Sequence, residues 1–165
     1  MKKTILTLLV ALPMSLFAQK FAHFNSAEVI QAMPEYTAAQ AELQTQSKQY
    51  EDELQRMQNE LKTKMDDYEK NASTLVEAVR QRREQELSDL QQRLQQYYET
   101  SQQELSKLQQ QKMAEISDKV QKAIKEVGDA GGYIYIMDTT SGIPYISPSL
   151  STDVTAQIKA KLGLK

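Results

Sequence analysis

One uninterrupted stretch, from about Tyr36 to Val127, limits what this chain can fold into. It contains no proline and no glycine, the residues that most readily end a helix, and it is dense in Gln, Glu, Lys, Leu and Ala. Its apolar residues recur mostly at alternating steps of three and four, which places them along one narrow stripe of a helix. The pattern therefore predicts coiled-coil helix along almost the whole stretch.

This apolar stripe, called the seam below, has two halves separated by the wholly polar segment Arg80–Glu86. Two successive steps of four, from Met57 to Leu61 to Met65, predict a local unwinding of the supercoil. The first half of the seam consists of Tyr36, Ala39, Leu43, Tyr50, Leu54, Met57, Leu61, Met65, Tyr68, Ala72, Leu75 and Val79. The second half consists of Leu87, Leu90, Leu94, Tyr97, Ser101, Leu105, Leu108, Ile116, Val120, Ala123 and Val127.

The lapse in the seam indicates a hairpin rather than one straight helix. Two antiparallel arms would each be about 65 Å long at a rise of about 1.5 Å per residue. By residue type the better helix breaker is Asn71–Thr74, whereas the lapse and the midpoint of the stretch favour Arg80–Glu86. We therefore place the tip of the hairpin within Lys70–Glu86.

The start of the chain, residues 1–18, has the features of a secretory signal peptide. Lys2 and Lys3 precede a mostly apolar run, Ile5–Phe17, that is too short to span a bilayer. Ala18 supplies a small residue at the expected cleavage point, after which a soluble exported chain would begin. An uncleaved membrane anchor is the rival interpretation.

Composition excludes several classes of protein. The chain has no cysteine, which excludes a lipid-anchored lipoprotein and any disulfide. Its formal net charge is -2, and loss of Lys2 and Lys3 with the signal peptide makes the mature chain more acidic. Nucleic-acid binding requires a basic face, so we expect no nucleic-acid partner.

Short elements are predicted between the signal peptide and the hairpin. Lys20–Phe24 is a strand candidate, and Ala27–Ala32 a short helix that either Asn25 or Ser26 would cap. Pro34 then suits the first turn of the long helix.

After the hairpin the sequence predicts two strands. Gly128–Gly132 ends the helix, and Tyr133–Met137 is almost wholly aromatic and β-branched, as strands prefer. Asp138–Gly142 reads as a turn into a second strand, Ile143–Ile146, which would form a hairpin with the first. Pro144 lacks an N–H group and therefore favours an edge or bulged position for that strand.

A terminal helix completes the predicted elements. Val154, Ile158 and Leu162 share one helical face, with Thr152 or Asp153 near the helix start.

Together these elements predict an α+β protein that is mostly α: a long antiparallel helical hairpin on a small body of strands. A hairpin returns to where it began, so the strand near Phe21 can pair with the strand near Ile134. The predicted domains are the signal peptide 1–18, the body 19–35 and 128–165, and the hairpin 36–127. Three short strands are a poor core for one subunit, which favours self-association.

The predicted elements and several of their residues resemble the Skp/OmpH family of periplasmic chaperones. The resemblance covers the whole mature chain. The matching pieces are Lys20–Asn25, Glu53–Met57, Lys64-Met65, Gly132–Asp138 and Asp153–Ala156. The resemblance implies a periplasmic homotrimer in which strands of three subunits form a β-barrel and three helical tentacles enclose a cavity. In that family the cavity holds unfolded outer-membrane proteins without ATP. The best-known members are basic, whereas this chain is acidic.

The chain offers little from which to build a catalytic site. There is no cysteine nucleophile, and the only imidazole, that of His23, lies in a strand candidate where a packed side chain is the usual role. No ligands stand at metal-binding spacing, and Gly128–Gly132 lacks the residues of a phosphate loop. We expect no enzymatic activity, no metal and no cofactor. Asp138-Thr139-Thr140 resembles an O-glycosylation acceptor of some bacteria.

A holdase, a chaperone that binds unfolded chains without refolding them, needs adaptable apolar and amphipathic side chains instead. The candidates for client contact are Tyr50, Met57, Met65, Tyr68, Tyr97, Tyr98 and Met113. Most of these also fit the seam, which is the competing interpretation. Tyr97 and Tyr98 are adjacent and cannot both point into the seam, so one of them is free for a client.

The remaining candidates concern assembly and the membrane. Arg80, Arg82 and Arg83 would supply a local basic patch for transient membrane-surface contact at the tentacle tips. Residues expected in the trimer body are Phe21, Phe24, Tyr133, Ile134, Tyr135, Ile136 and Tyr145.

One alternative belongs to another class: a structural coiled-coil spacer that holds components of the cell envelope apart. A spacer has no need of a barrel-forming head, so the strands at both ends of the chain favour the chaperone.

Overall fold

A computed structural model of the protein describes residues 19–165, and the predicted signal peptide lies outside them. No helix within this range is both long and apolar enough to cross a membrane. The chain divides into two compact units, a head unit (residues up to Ala32 and Lys119–Lys165) and an arm unit (Met33–Asp118). The helices and strands are β1 (Lys20–Phe24), α1 (Ser26–Ala32), α2 (Pro34–Asn71), α3 (Glu77–Gly131), β2 (Tyr133–Asp138), β3 (Ser151–Asp153) and α4 (Thr155–Lys161).

The head contains a three-stranded parallel sheet in the order β2-β1-β3. β1 lies in the centre, where Phe21 is in register with Tyr135 of β2 and with Ser151 of β3. The predicted pairing of the strand near Phe21 with the strand near Ile134 is therefore confirmed, and it joins residues more than a hundred positions apart in the chain.

The predicted strand Ile143–Ile146 is wrong. This segment is irregular, and the third strand is Ser151–Asp153, which pairs with β1 rather than forming a hairpin with β2. Pro144 and Pro148 have no N–H group to donate to a strand ladder, so the first regular pairing after β2 begins beyond them. The apolar residues that suggested a strand lie over the sheet surface instead, as described below.

One face of the head sheet is covered and the other is open. Alternate residues of a strand point to opposite faces, and here Ala22 and Phe24 are buried while Phe21 is exposed. α1 and α4 contact each other, and their residues Val29 and Ile158 are fully buried. The predicted face of the terminal helix is confirmed, since Val154 and Ile158 are buried and Leu162 is half-buried.

The end of β2 is locked to the start of α1 by Asp138. Its Oδ1 accepts hydrogen bonds from the backbone N–H groups of Ser26 (3.2 Å) and Thr140 (3.0 Å), and its Oδ2 accepts one from Thr140 Oγ1 (2.8 Å). Burial raises the pKa of this carboxyl, but the hydrogen bonds from Ser26 and Thr140 outweigh burial, so the pKa lies below its ordinary value.

The end of β3 repeats the same Asp-x-Thr arrangement. Asp153 Oδ1 accepts hydrogen bonds from the Thr155 N–H (2.9 Å) and from Thr155 Oγ1 (2.6 Å), and these bonds lower the Asp153 pKa. Thr155 Oγ1 in turn accepts a hydrogen bond from the Asn25 N–H at 3.1 Å. The two outer strands therefore hold consecutive N–H groups, those of Asn25 and Ser26, at the start of α1. Asn25 is also the helix cap, because its Oδ1 accepts from the Glu28 N–H at 3.1 Å.

α3 continues past its predicted end at Val127 and stops at Gly131. The residue that ends it is Gly132, whose positive φ of 65° suits glycine after a helix. A Cβ on Gly131 would lie 2.2 Å from the ring of Tyr133, so this glycine permits the tight exit into β2. The Lys20 Nζ donates to the Gly131 carbonyl at 3.2 Å and so caps the helix.

The arm unit is an antiparallel hairpin of α2 and the first part of α3. α2 begins at Pro34, as predicted, and the chain reverses in a 3₁₀ turn, Ala72–Thr74, followed by Leu75 and Val76, which belong to no helix. The tip thus lies within the predicted range, at the segment favoured by residue type. The seam lapse at Arg80–Glu86 is helical and is not the turn.

We predict that replacing Asp138 or Asp153 by alanine lowers the free energy of unfolding by about 1 kcal/mol, since each carboxylate satisfies backbone donors. Both folded-state pKa values are depressed, so the charged form stabilises the head above the unfolded-state pKa of about 3.9, and this stability is lost as the pH falls through the lower folded values. Urea unfolding followed by circular dichroism between pH 3 and 7 measures both effects. Asp129→Ala, on an exposed helical surface, is the control and should change stability less.

Candidate functional site

Within the arm unit the seam is confirmed as the contact between the helices, but most of it is only half-buried. Tyr50 and Tyr97 meet across the hairpin in an edge-to-face contact with ring centroids 6.0 Å apart. Only four predicted seam residues of this unit are fully buried: Ala39, Leu90, Ser101 and Ile116. Two helices cannot enclose a stripe between them, so apolar atoms of the remaining seam residues face solvent along the flanks.

Charged side chains fill the lapse in the seam. Lys64 of α2 forms an ion pair with Glu86 of α3, and the Tyr68 hydroxyl donates to the Glu84 carboxylate. The hydrogen bond from Lys64 lowers the Glu86 pKa, whereas the bond to Glu84 raises the Tyr68 pKa. Two residues of the polar run Arg80–Glu86, Glu84 and Glu86, thus make polar contacts with α2, the other helix of the arm.

Met65, a predicted seam residue, is 38 % exposed. Each step of four advances about 400° around a helix, so two such steps from Met57 carry Met65 about 80° away from the seam direction. Lys64 is less exposed and takes its place beside Glu86.

A second polar contact crosses the hairpin where the seam skips from Leu108 to Ile116. The Lys112 Nζ lies 2.7 Å from Glu42 Oε2, and this hydrogen bond raises the Lys112 pKa. The two eight-residue gaps in the seam, after Val79 and after Leu108, therefore each contain one member of a lysine–glutamate pair that links the two helices.

The candidate client-contact residues fall into two groups. Tyr50, Met57, Tyr68 and Tyr97 are half-buried in or beside the seam. Tyr98 (50 % exposed), Met113 and Met65 project toward solvent. Of the adjacent pair, Tyr97 contacts Tyr50 across the hairpin and Tyr98 is exposed, so Tyr97 takes the seam position, and client contact by Tyr98 stays a prediction.

The open face of the head sheet is apolar. Phe21 and Tyr135 stack with ring centroids 6.4 Å apart, and beside them lies a cavity of about 470 Å³. Tyr135 and Tyr145, which line this cavity, are 57 % and 74 % exposed, whereas Ile134 is exposed but does not line it. Tyr133 and Ile136 are half-buried, whereas Phe24 is buried on the covered face.

Sequence reasoning missed other apolar residues of the open face. They are Met137, Ile143, Ile146 and Leu150, all of which line the cavity. Met137 was detectable from period-two alternation with Tyr135. The other three come from the irregular segment after β2, whose position over the sheet no local pattern reveals.

His23 lies at the edge of this apolar face and has a structural partner. Its Nδ1 is 2.8 Å from Ser151 Oγ, which links β1 to β3. In the described part of the chain, no three acidic or histidine side chains come together in a way that could hold a metal ion.

The hairpin tip combines one exposed apolar residue with arginines. Val76 is 68 % exposed. Arg80 pairs with Glu77, and Arg83 lies 3.8 Å from Glu86, so two of the three arginines of the predicted basic patch are partly neutralised. Arg82 forms no ion pair or hydrogen bond with any residue from 19 to 165.

The combination of a long helical hairpin with a small parallel sheet defines the class of fold, and comparison identifies the family. Residues 20–162 match the family model described as outer membrane protein (OmpH-like). The chain therefore belongs to the OmpH-like family, which is the Skp/OmpH family that the sequence predicted.

Individual relatives agree with this assignment. The chaperone protein Skp of Yersinia enterocolitica is 28% identical over 156 residues, covering 93% of this chain and 94% of the relative. Skp of Photorhabdus laumondii is 27% identical over 154 residues, covering 91% and 93%. The crystal structure of an OmpH-like outer membrane chaperone from Caulobacter crescentus matches with a TM-score of 0.75 at 17% identity, covering 87% of this chain and 83% of that one. This structural match supports the fold, and the predicted α+β, mostly helical class is confirmed.

We predict that Ser101→Ala stabilises the arm. Ser101 is 2 % exposed in the seam, and its hydroxyl donates to the Tyr97 carbonyl of its own helix at 2.6 Å. Removing it leaves no group of another element unpaired and improves helix propensity, so we expect about 0.5–1 kcal/mol of added stability. Ser106→Ala, on the exposed surface, should give only the smaller propensity gain. Thermal melts at 222 nm measure both, and a destabilised Ser101→Ala would contradict the prediction.

Proposed function

We propose that the protein is an ATP-independent periplasmic holdase that binds unfolded outer-membrane proteins. The observation that carries this proposal is the incompletely buried seam, which offers adaptable apolar side chains along both helices of the arm. Membership of the OmpH-like family and the chaperone names of the relatives support it. No enzymatic step and no cofactor is part of the proposed function.

The proposed mechanism rests on many weak contacts. Exposed Tyr98 and Met113, and the flanks of the seam, can meet varied apolar segments because methionine is flexible and tyrosine is amphipathic. Arms that act together raise the effective concentration of binding groups, so weak contacts give useful retention while each still releases quickly. Binding only the unfolded client gives direction without ATP, because folding into the membrane removes the ligand.

The proposed active form is a homotrimer whose three arms enclose the client. Among residues 19–165, no helix covers the apolar face of the head sheet, and the outer strands β2 and β3 each have an unpaired edge. Copies of the same chain would cover that face and pair those edges, which is the usual remedy for exposed strands. A spacer would not require such a surface, so the open head face favours the chaperone over the spacer.

Removal of the outer arm tests the function. We predict that the mature chain with residues 61–94 replaced by a short Asn-Gly turn remains trimeric but no longer prevents aggregation of a urea-diluted outer-membrane barrel protein. The head face is intact in this variant, whereas the outer part of each arm, which would enclose the client, is lost together with Met65 and Tyr68. Native mass spectrometry measures assembly and client uptake without nucleotide, and light scattering measures aggregation.

The same barrel protein, folded in detergent, is the control and should not bind the full-length chain. Full protection by the shortened variant would contradict the arm mechanism. A full-length chain that is monomeric and ignores the unfolded client would contradict the proposed function as a whole.

We further propose transient contact between the hairpin tip and membrane surfaces. Exposed Val76 provides an apolar side chain for the interface, and Arg82, which makes no hydrogen bond within the described residues but interacts electrostatically with Glu86, provides a positive charge for anionic headgroups. One valine and few free cations give weak, reversible binding rather than anchoring.

We predict that Val76→Asp lowers binding to phosphatidylglycerol-containing vesicles by about two- to tenfold, because it removes the apolar contact and adds a repelled charge. Thr74→Asp adds the same charge without removing an apolar residue, so the difference between the variants reports on Val76. Vesicle cosedimentation at two salt concentrations measures both. Equal binding by Val76→Asp and the unmodified chain would rule out this contact.

A further inference from the structure

A cavity of about 390 Å³ opens on the flank of the arm, between α2 and α3. Its apolar lining is formed by Met57, Leu90 and Tyr97. Leu90 is buried, Met57 and Tyr97 are half-buried, and the Tyr97 ring makes an edge-to-face contact with Tyr50. We call this cavity the arm notch. It lies in the arm unit only, and its lining comes from residues already held in place by the seam.

One guanidinium on the rim of the notch is held in a fixed plane. Arg56 donates two hydrogen bonds to the Glu53 carboxylate, from Nε at 2.9 Å and from Nη2 at 2.6 Å, and its Nη1 lies 3.6 Å from Glu60. Bonds of this kind use the edge of the guanidinium and leave its flat face available. The Arg56 side chain is 63% exposed, so that face is accessible to a ligand.

A second guanidinium approaches from the other helix and has no partner. Arg93 of α3 lines the notch, yet it makes no ion pair or hydrogen bond within the described residues. The notch thus has an apolar floor, one guanidinium fixed by carboxylates and one that is free to meet a ligand.

We propose that the arm notch binds a single aromatic side chain, that of Phe, Tyr or Trp, from an unfolded polypeptide. The proposal rests on the proposed function and names a subsite and a preferred client group for it. The volume accommodates one such ring with water around it, and methionine, tyrosine and guanidinium groups are the side chains that interact favourably with aromatic rings.

Electrostatics selects this ligand over the alternatives. A client carboxylate would approach Arg93 but would be repelled by Glu53 and Glu60 on the same rim. An aliphatic side chain would gain the apolar floor but nothing from the two guanidiniums. An aromatic ring combines both contacts without bringing a charge. Membrane β-barrels carry girdles of aromatic residues, so unfolded outer-membrane proteins would present suitable groups.

The test compares two peptides that differ only in aromatic character. Each is a flexible Gly-Ser peptide with one central residue, either phenylalanine or cyclohexylalanine, whose ring has a similar size but is puckered, non-aromatic and more apolar. They are titrated into the full mature chain carrying ¹³C-methyl methionine, and the Met57 methyl resonance, assigned with Met57→Leu, reports binding. We expect the phenylalanine peptide to bind about two- to fivefold tighter and to shift Met57 through its ring current.

Two arginine variants form the matched pair. Arg93→Gln should reduce the preference for phenylalanine over cyclohexylalanine, because it removes one of the two guanidiniums that line the notch. Arg82→Gln, an exposed arginine of the same arm that does not line the notch, should leave it unchanged. Circular dichroism establishes that both variants keep their helices.

Tighter binding of cyclohexylalanine, or an unmoved Met57 resonance, would overturn the notch proposal even if the chain still protects an unfolded barrel protein. Failure to protect that client would instead contradict the proposed function. The two outcomes are therefore distinguishable.

Discussion

The contact on which the arm depends is a single apolar seam between two antiparallel helices. Each helix contributes one stripe, and two cylinders in contact cannot exclude water from both sides of that stripe. The seam is therefore enough to join α2 to α3 but leaves residues such as Met57 and Tyr97 half-buried. The incomplete burial that limits the stability of the arm is the same property on which the proposed binding of unfolded chains rests.

Polar side chains within the seam give the hairpin its alignment. Apolar stripes slide easily past one another, whereas the pairs Lys64–Glu86 and Lys112–Glu42 have partners at only one alignment of the helices. Exposed ion pairs contribute little to stability, so their main effect here is on which residues face each other. One member of each pair lies in an eight-residue gap of the seam.

The head unit is small, and its strands are far apart in the sequence. The hairpin returns the chain, so that β1 lies between β2 and β3 although they are far apart in sequence. Repeated Asp-x-Thr locks at the ends of both outer strands, through Asp138 and Asp153, hold the start of α1. α1 and α4 contact each other and carry the fully buried Val29 and Ile158, while no helix of residues 19–165 covers the opposite face of the sheet, with Tyr135 and Tyr145. Because one face of the sheet is covered and the other is exposed, we propose that the exposed face associates with further copies of the chain.

The sequence by itself determined the elements whose signals are local and repeated. The heptad seam, the proline at the start of α2, the aromatic strand at Tyr133 and the face of the terminal helix all follow from spacing and residue type over short distances. Only the tertiary structure decided where non-local partners lie. Ser151–Asp153 is too short to show a strand pattern and exists because β1 lies beside it, and Ile143–Ile146 has strand-like residues but no strand to pair with. The sequence also did not determine where α3 ends, which contacts fill the seam lapse, or that the arm notch exists. Each of these depends on which side chains a second element brings within contact distance.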